Sequence, residues 1–401
     1  NFEEGYPEGT ETVRGQYING FYNNYKIGQE EWHIGFIKEK HTMVNVFDTQ
    51  TMRLELDGEE VNLFEGKVVD FSRTLDMKKG ITRRWFRWES PKGKRVEIEI
   101  TRLVSFEMLP LFLIDYRIRP LNFSGEAKMF SLQSGKVSNY FNQKDSRVAG
   151  EKRHHIETAE CEIAKNCTGV LRSQTTISRL EAVCAVRHVC PETWRQTISA
   201  GTDSIENVLE FSVEQDKWAE VQKYTVICDS LRYPHVKQEA LKLMEEAVCQ
   251  GAGQWFKKQE EYLNRFWQRS FMEIHGDPVL NVSLHYNLYG LLQSASKDSF
   301  GNIGAKGLSG EGYEGHYFWD TEMYMLPFFS LTQQQMAKTL LNYRYYILDP
   351  AREHARAMGH KKGALFPWRT INGTECSYFY PSGGAQYHII GDIAYGIVQY
   401  Y

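Results

Sequence analysis

The sequence contains no run of 18 apolar residues, so nothing in it is expected to span a bilayer. It also lacks a basic segment followed by an apolar stretch at its start; no export signal is visible, and a cytoplasmic location is the expectation. The chain opens on Asn1 rather than Met, which leaves a removed or missing leader open. There is no CxxC pair. Seven cysteines occur, an odd number, and the pairs Cys161/Cys167 and Cys184/Cys190 do not have the usual zinc spacing. Reduced thiols and no metal are therefore expected. An excess of one charge is missing too: 47 Lys and Arg against 51 Asp and Glu leave a net −4. That balance argues against nucleic acid or an anionic membrane as the main partner. Internal repeats and low-complexity tracts are absent.

What is there is a chain of 401 residues, 42% hydrophobic, enough to bury two cores and of a length that suggests two or three domains. Residues 1–228 read as β structure. Arg53 to Val61 alternates around Asp57-Gly58, a strong hairpin signal, and Trp85 to Ile100 repeats the pattern with Pro91 and Gly93 in the turn. There, Val96, Ile98 and Ile100 fall on one face, and Glu97 and Glu99 are expected to face water. Leu111 to Ile118 supplies another strand. Many strands without intervening helical periods imply an antiparallel β-sandwich. The four Asn-x-Ser/Thr matches, at Asn122, Asn166, Asn281 and Asn372, are too short a pattern to carry meaning.

The period then changes. Val236, Ala240, Leu243, Met244 and Ala247 recur at helical spacing, and after Gly251-Ala-Gly253 so do Trp255, Tyr262, Leu263, Phe266 and Trp267. These two stripes read as packing surface on a helical linker, residues 229–274, that braces the sandwich against the remainder. From residue 275 to 401 the pattern stays helical. Asp277-Pro278 places a capping carboxylate and a first-turn proline ahead of Val279 to Ala295. Asp349-Pro350 carries the same signature, with Gly359 as the stop. Arg352, His354 and Arg356 there read as a solvated face. The last segment puts Ile389, Ile393, Ile397 and Tyr401 on one stripe and ends without cap or breaker.

Inside the helical part, the glycine-rich loop Gly307 to Glu322 delivers Trp319, Asp320 and Glu322 to the start of an apolar run. Tryptophan beside a carboxylate suits a sugar: a flat apolar face for C–H edges and an acceptor for paired hydroxyls. The alternative is a helix start in which Asp320 or Thr321 caps and Trp319 packs. Phe318-Trp-Asp-Thr-Glu-Met-Tyr324, preceded by Gly310-Glu-Gly-Tyr-Glu-Gly-His316, resembles glycoside hydrolase family 65, the maltose, kojibiose, nigerose and trehalose phosphorylases. The blocks Asn1 to Thr10, Gly15 to Tyr22, Gly363 to Trp368 and His388 to Tyr395 carry the same resemblance, in the family's order.

The resemblance implies an N-terminal antiparallel sandwich, a helical linker and an (α/α)6 barrel. Only about a third of twelve helices, at ~10–14 residues each, fit after residue 275, so the barrel is not expected to close within this chain. It implies inverting phosphorolysis of an α-glucosyl disaccharide to β-glucose 1-phosphate and a free sugar, with no cofactor besides inorganic phosphate as co-substrate. Disaccharide and phosphate would be the partners, and a homodimer the assembly at full length. Phosphate is already an anionic nucleophile, so a single protein acid suffices. In the family that glutamate lies in a later Gly-Pro-Asp-Glu-like motif, and the phosphate-binding Ser, His and Lys lie later too. No catalytic residue is therefore expected before Tyr401, and the chain alone is expected to be inactive and poorly soluble. Glu322 is expected to point away from the pocket. By resemblance Asp320 grips the transferred glucosyl unit and Trp319 forms a wall. Trp368 is read as a second wall, and Gln386 and His388, at the beginning of the final helix, as residues that reach the mouth, with a structural role the alternative for His388. Arg369 is counted among the substrate-binding residues as well, and stands where kojibiose-type members tend to carry Glu, which leaves the glycosidic linkage open. Tyr378 and Tyr380, in the loop from Ile371 to Gln386, either stack on an acceptor sugar or pack within the loop. Two other readings remain: a trehalase-like hydrolase of the same family, and a non-catalytic carbohydrate-binding protein.

Overall fold

The computed structural model describes residues 2–7, 10, 12–27, 36, 37, 39–141, 154–377 and 383–401. Tyr378 and Tyr380 lie outside the described residues. The chain forms fifteen strands and then seven α-helices among these residues. Strands β1 (Tyr22–Lys26) and β2 (Glu39–Met43) make a separate antiparallel ribbon. Next come β3 (Met52–Leu56), β4 (Glu59–Glu60), β5 (Lys67–Asp76), β6 (Ile81–Glu89) and β7 (Arg95–Val104). They are followed by β8 (Leu111–Pro120), β9 (Gly125–Ser134), β10 (Ile156–Ala164), β11 (Thr168–Thr175) and β12 (Glu181–Val189). The last three are β13 (Arg195–Ala200), β14 (Ser204–Val213) and β15 (Ala219–Asp229). An eight-stranded sheet, β10-β11-β12-β15-β8-β7-β6-β5, faces a five-stranded one, β13-β14-β9-β3-β4, with every neighbouring pair antiparallel.

Local chemistry sets the hairpins. Asp57 and Gly58 both take positive φ, 46° and 76°, the paired left-handed geometry of a two-residue turn that matches strand twist. Beyond that turn Phe86, Trp88, Val96, Ile98 and Ile100 interleave with Leu54, Met129, Leu209 and Phe211 as the inter-sheet core. Glu97 does not face water as its alternation suggested. It is 6% exposed, accepting from Trp85 Nε1 at 2.6 Å and from Arg119 Nε at 3.2 Å, because long side chains of neighbouring strands roof that outer face. Glu99 is half-buried beside Arg83.

Helix α1 (Val236–Gln250) lays Val236, Ala240, Met244 and Ala247 on the outer face of β12 and β15, against Val183, Ala185, Tyr224 and Val226. Those strands are consequently covered on both faces. Helix α2 (Ala252–Ser270) is the brace. Gln259 donates to the carbonyls of Gly80 and Val104 and accepts from Phe106 N, and Trp267 Nε1 donates to Met77 O at 2.8 Å. Its Leu263 and Phe266 pack on Tyr289 and Leu292 of α3 (Pro278–Ser294). Asp277 caps α3, accepting from Val279 N and Leu280 N at 3.0 Å each.

Helices α4 (Leu326–Thr332), α5 (Gln334–Tyr346), α6 (Leu348–Ala357) and α7 (His388–Tyr400) follow. Asp349 is not a cap: α5 runs into α6 through Ile347, so Asp349 already lies in the first turn and pairs with Arg352 at 2.9 Å. Gly359 does stop α6. Its φ is +89°, and the N–H groups of Gly359 and His360 bond back to Arg356 O and Ala355 O. On α6, Arg352 and Arg356 are exposed but His354 is half-buried, its imidazole pKa lowered by burial, so the solvated-face reading fails for it. The stripe on α7 is buried only at Ile389, Ile393 and Gly396; Ile397 and Tyr401 are exposed. Helix α3 likewise exposes Val279 and Val282, at 74% and 61%. Part of the apolar surface of α3 and α7 thus faces outward. Among the described residues no helix is long and apolar enough to cross a membrane.

Candidate functional site

The glycine-rich loop is built on a central residue, Tyr317. Its backbone bridges Gly304 on one side and Thr370 on the other, with Tyr317 N to Thr370 O at 2.8 Å and the return bond at 3.2 Å. Its hydroxyl meets the Asn19 side chain, which in turn donates to Asn302 O at 2.9 Å and Ser294 O at 3.2 Å. The segments bearing Trp319 and Trp368 are therefore pinned to one another two residues from each tryptophan.

Just upstream the backbone is left-handed for three residues: Tyr313 (φ 55°), Glu314 (58°) and Gly315 (74°). Left-handed conformations at two consecutive non-glycine residues are costly and persist only where neighbours fix them. Here the neighbours are charges. Glu314 accepts from Lys40 Nζ at 2.6 Å and from Tyr25 OH at 2.5 Å, both on the β1–β2 ribbon, and pairs with Arg369 at 3.3 Å. Arg369 Nε donates to His316 Nδ1 at 2.8 Å, and His316 Nε2 donates to His41 O at 2.8 Å. Burial, then the Arg369 charge, keeps the His316 pKa well below its usual range, in keeping with that neutral tautomer.

Past Tyr317 the chain enters a π-helical turn, Thr321–Met325, instead of a plain helix start. Such turns frequently mark functional sites. Asp320 caps nothing, is exposed, and enters no side-chain hydrogen bond or ion pair among the described residues. Thr321 is buried without capping either, so the helix-cap reading fails. Glu322 points inward. It is 1% exposed and forms a two-point ion pair with Arg344, Nε to Oε1 at 2.8 Å and Nη2 to Oε2 at 2.7 Å. Arg344 also donates to Phe318 O at 2.9 Å, which fixes the residue before Trp319. Gly396 lets α7 close on this turn: a Cβ there would lie 3.2 Å from Glu322 Cβ.

Trp319 is half-buried, its ring edge-on to His388 at 5.0 Å and 84°. His388 is held between Asp392 Oδ2 at 2.6 Å and Gln386 Oε1 at 2.8 Å. Trp319, Gln386 and His388 thus meet at one corner, and Asp320 follows Trp319 in the chain. Trp368 packs on Phe318, the residue before Trp319, with ring centroids 6.3 Å apart at 82°. Arg369 turns the other way, into the Glu314–His316 network. Three residues escaped sequence reading: Glu314, His316 and Glu375. Glu375 accepts from the N–H groups of Trp368 (2.6 Å), Ser377 (2.8 Å), Cys376 (3.0 Å) and Arg369 (3.4 Å), and so shapes the Trp368 turn. Burial pushes its pKa up to about 7 against those four donors. No local pattern around Thr374-Glu375-Cys376 would have revealed it. Among the described residues no cluster of His, Cys, Asp and Glu is placed to hold a metal.

Comparison with known proteins agrees with this architecture. The chain is 42% identical over its whole length to an α,α-trehalose phosphorylase from Geobacillus stearothermophilus, covering 52% of that protein. It is 31% identical to a kojibiose phosphorylase from Caldanaerobacter subterraneus, over 99% of this chain and 52% of the relative. A solved human-microbiome protein provisionally described as a kojibiose phosphorylase superposes with a TM-score of 0.88 at 24% identity, over all of this chain and 51% of its own. The chain spans about half the length of the curated relatives it matches. The N-terminal domain of glycosyl hydrolase family 65 matches residues 1–266, and the family's central catalytic domain matches residues 285–401. With both domains matched in order along nearly the whole sequence, the chain belongs to glycosyl hydrolase family 65.

Proposed function

We propose that this chain is the sandwich and the first part of the catalytic barrel of a disaccharide phosphorylase that cleaves an α-glucosyl disaccharide with inorganic phosphate and inversion. The observation that carries the reading is Asp320. An exposed carboxylate with its acceptor capacity unspent, beside a tryptophan face braced by His388, matches what a glucosyl ring offers: paired hydroxyls and an apolar edge. Trp368 forms a second wall, and Gln386 positions His388. Glu322 is consumed by Arg344 and serves structure. On this reading the general acid and the phosphate cradle come from the part of the relatives that this chain does not span, and assay of the 401 residues alone is expected to show no phosphorolysis. Relatives named trehalose phosphorylases, 42% and 39% identical, stand nearer in sequence than the kojibiose phosphorylase at 31%, which makes α,α-trehalose the first substrate to test.

The decisive assay supplies the complete gene product with α,α-trehalose, kojibiose, maltose or nigerose and follows β-glucose 1-phosphate. Phosphate-dependent release from one of them is the expected result. Glucose release that ignores phosphate would favour a hydrolase, and no turnover on any of them would leave only carbohydrate binding.

A further inference from the structure

Between the N-terminal arm and the glycine-rich loop lies a cavity of about 500 Å³, walled by Gly15, Tyr17, Gln50, Tyr140, Glu311 and Gly312. Neither Trp319, Asp320, Trp368 nor His388 lines it. The volume falls within the ~300–1,000 Å³ typical of small-molecule sites. Glu311 is 9% exposed, and its Oε1 has no hydrogen-bond partner among the described residues. The Tyr17 hydroxyl and the Tyr140 N–H are hydrogen-bond donors to this carboxylate, and Oε1 is the oxygen left without a partner among the described residues. A buried acceptor is costly to leave without a donor, so an oxygen left this way at a cavity wall is a place for a donor from outside.

The walls select the kind of donor. Burial raises the Glu311 pKa, which disfavours the carboxylate charge and with it a cationic ligand. Gln50 is already committed, donating to Gly15 O at 3.2 Å and accepting from Arg102 Nη1 at 3.2 Å, so it is a fixed wall. Tyr17 and Tyr140 present flat, partly apolar rings. We infer that this seam is a second saccharide site, in which a hydroxyl of a neutral mono- or disaccharide donates to Glu311 Oε1 and the sugar ring lies against Tyr17 and Tyr140. The ligand class rests on the sugar chemistry proposed above; the location does not. The cavity wall is continuous in the chain with the support of the first site. Gly312 leads directly into the left-handed turn, whose Tyr313 O accepts from Arg369 Nη2 at 3.3 Å, next to Trp368.

The test is calorimetric titration of the complete gene product, without phosphate, with maltose and with α,α-trehalose, on the wild type and on Asp320→Ala, Glu311→Gln and Tyr140→Ala variants. Two binding steps are expected. Glu311→Gln and Tyr140→Ala should each weaken one step by about tenfold and leave the Asp320-dependent step in place, while Asp320→Ala does the reverse. Binding that is lost with Asp320→Ala and unchanged by both other variants overturns the second site and leaves the first standing. Absence of saturable binding to the Asp320→Ala variant up to about 50 mM of either sugar overturns it as well. Loss with Glu311→Gln but not with Asp320→Ala supports the second site while removing the first. Unfolding midpoints run alongside: Glu311→Gln preserves size and Tyr140 is half exposed, so a loss of affinity with an unchanged midpoint is a loss of contact.

Discussion

Asp320 and Glu322 are two residues apart and equally acidic, yet the fold gives them opposite tasks. Asp320 faces solvent beside Trp319; Glu322 is sealed against Arg344. Asp320→Ala should therefore leave the unfolding midpoint where it is and weaken sugar binding by roughly 10- to 150-fold, the equivalent of a charge-assisted hydrogen bond worth about 1.5–3 kcal/mol. Titration with glucose or trehalose checks both halves of that statement. Arg344→Met should do the contrary. It strands a buried carboxylate and costs about 3–5 kcal/mol, read as a lowered urea midpoint, and the double variant Arg344→Met/Glu322→Leu should recover much of the loss. At this scale the sequence was legible in part: the family motif marked the loop that carries Trp319 and Asp320, and spacing turned Glu322 away, as its burial against Arg344 shows. It was opaque for Glu314 and Glu375. Their partners, Lys40 and the N–H groups flanking Trp368, are set by tertiary approach, which no local pattern encodes.

Elements were readable in proportion to how local their cause is. The Asp57-Gly58 hairpin, the Asp277 cap and the Gly359 stop each depend on a few neighbouring residues, and all three form as their residue types suggest. The Asp349-Pro350 signature failed because α5 continues into α6, so the segment that should have been extended is already helical. The π-helical turn and the left-handed turn were invisible, since both are imposed by packing. Gly315 illustrates the constraint: its φ is +74°, and an added Cβ would lie 2.4 Å from Met43 Cβ. Gly315→Ala should accordingly lower stability by about 1–3 kcal/mol and loosen the Glu314 network, seen as faster hydrogen exchange of β1 and β2 amides. Gly310→Ala, with open space around its Cβ, is the control expected to change neither.

Across the whole molecule, the sandwich came through from alternation alone, and what alternation missed was charge inside it. Lys223 on β15 is fully buried, donating to Leu132 O at 3.1 Å, with Asp48, Cys184, Arg14 and Glu3 as its charged or titratable surroundings. Burial lowers its pKa to about 7. Lys297, at the carboxyl end of α3, donates to Leu292 O and Ala295 O and is likewise lowered by burial to about 7. For both, the unfolded chain holds the extra proton between about pH 7 and the ordinary lysine range, so stability should rise as pH increases through that window. From pH 7 to 8.5 the gain is on the order of 1–2 kcal/mol per lysine, and Lys223→Met should flatten its share. Above about pH 9 the buried thiols Cys184, Cys228 and Cys376, all raised by burial, pull the other way, because the unfolded chain ionises them first. Denaturant midpoints measured from pH 6 to 10 trace both limbs. One further consequence concerns engineering. Since Tyr317 is stapled to Thr370 on one flank and to Gly304 on the other, the two tryptophan panels share a single hinge pin. If both panels line the proposed sugar site, a change made to widen one should shift its opposite number, and a library meant to retune the site should vary the two together.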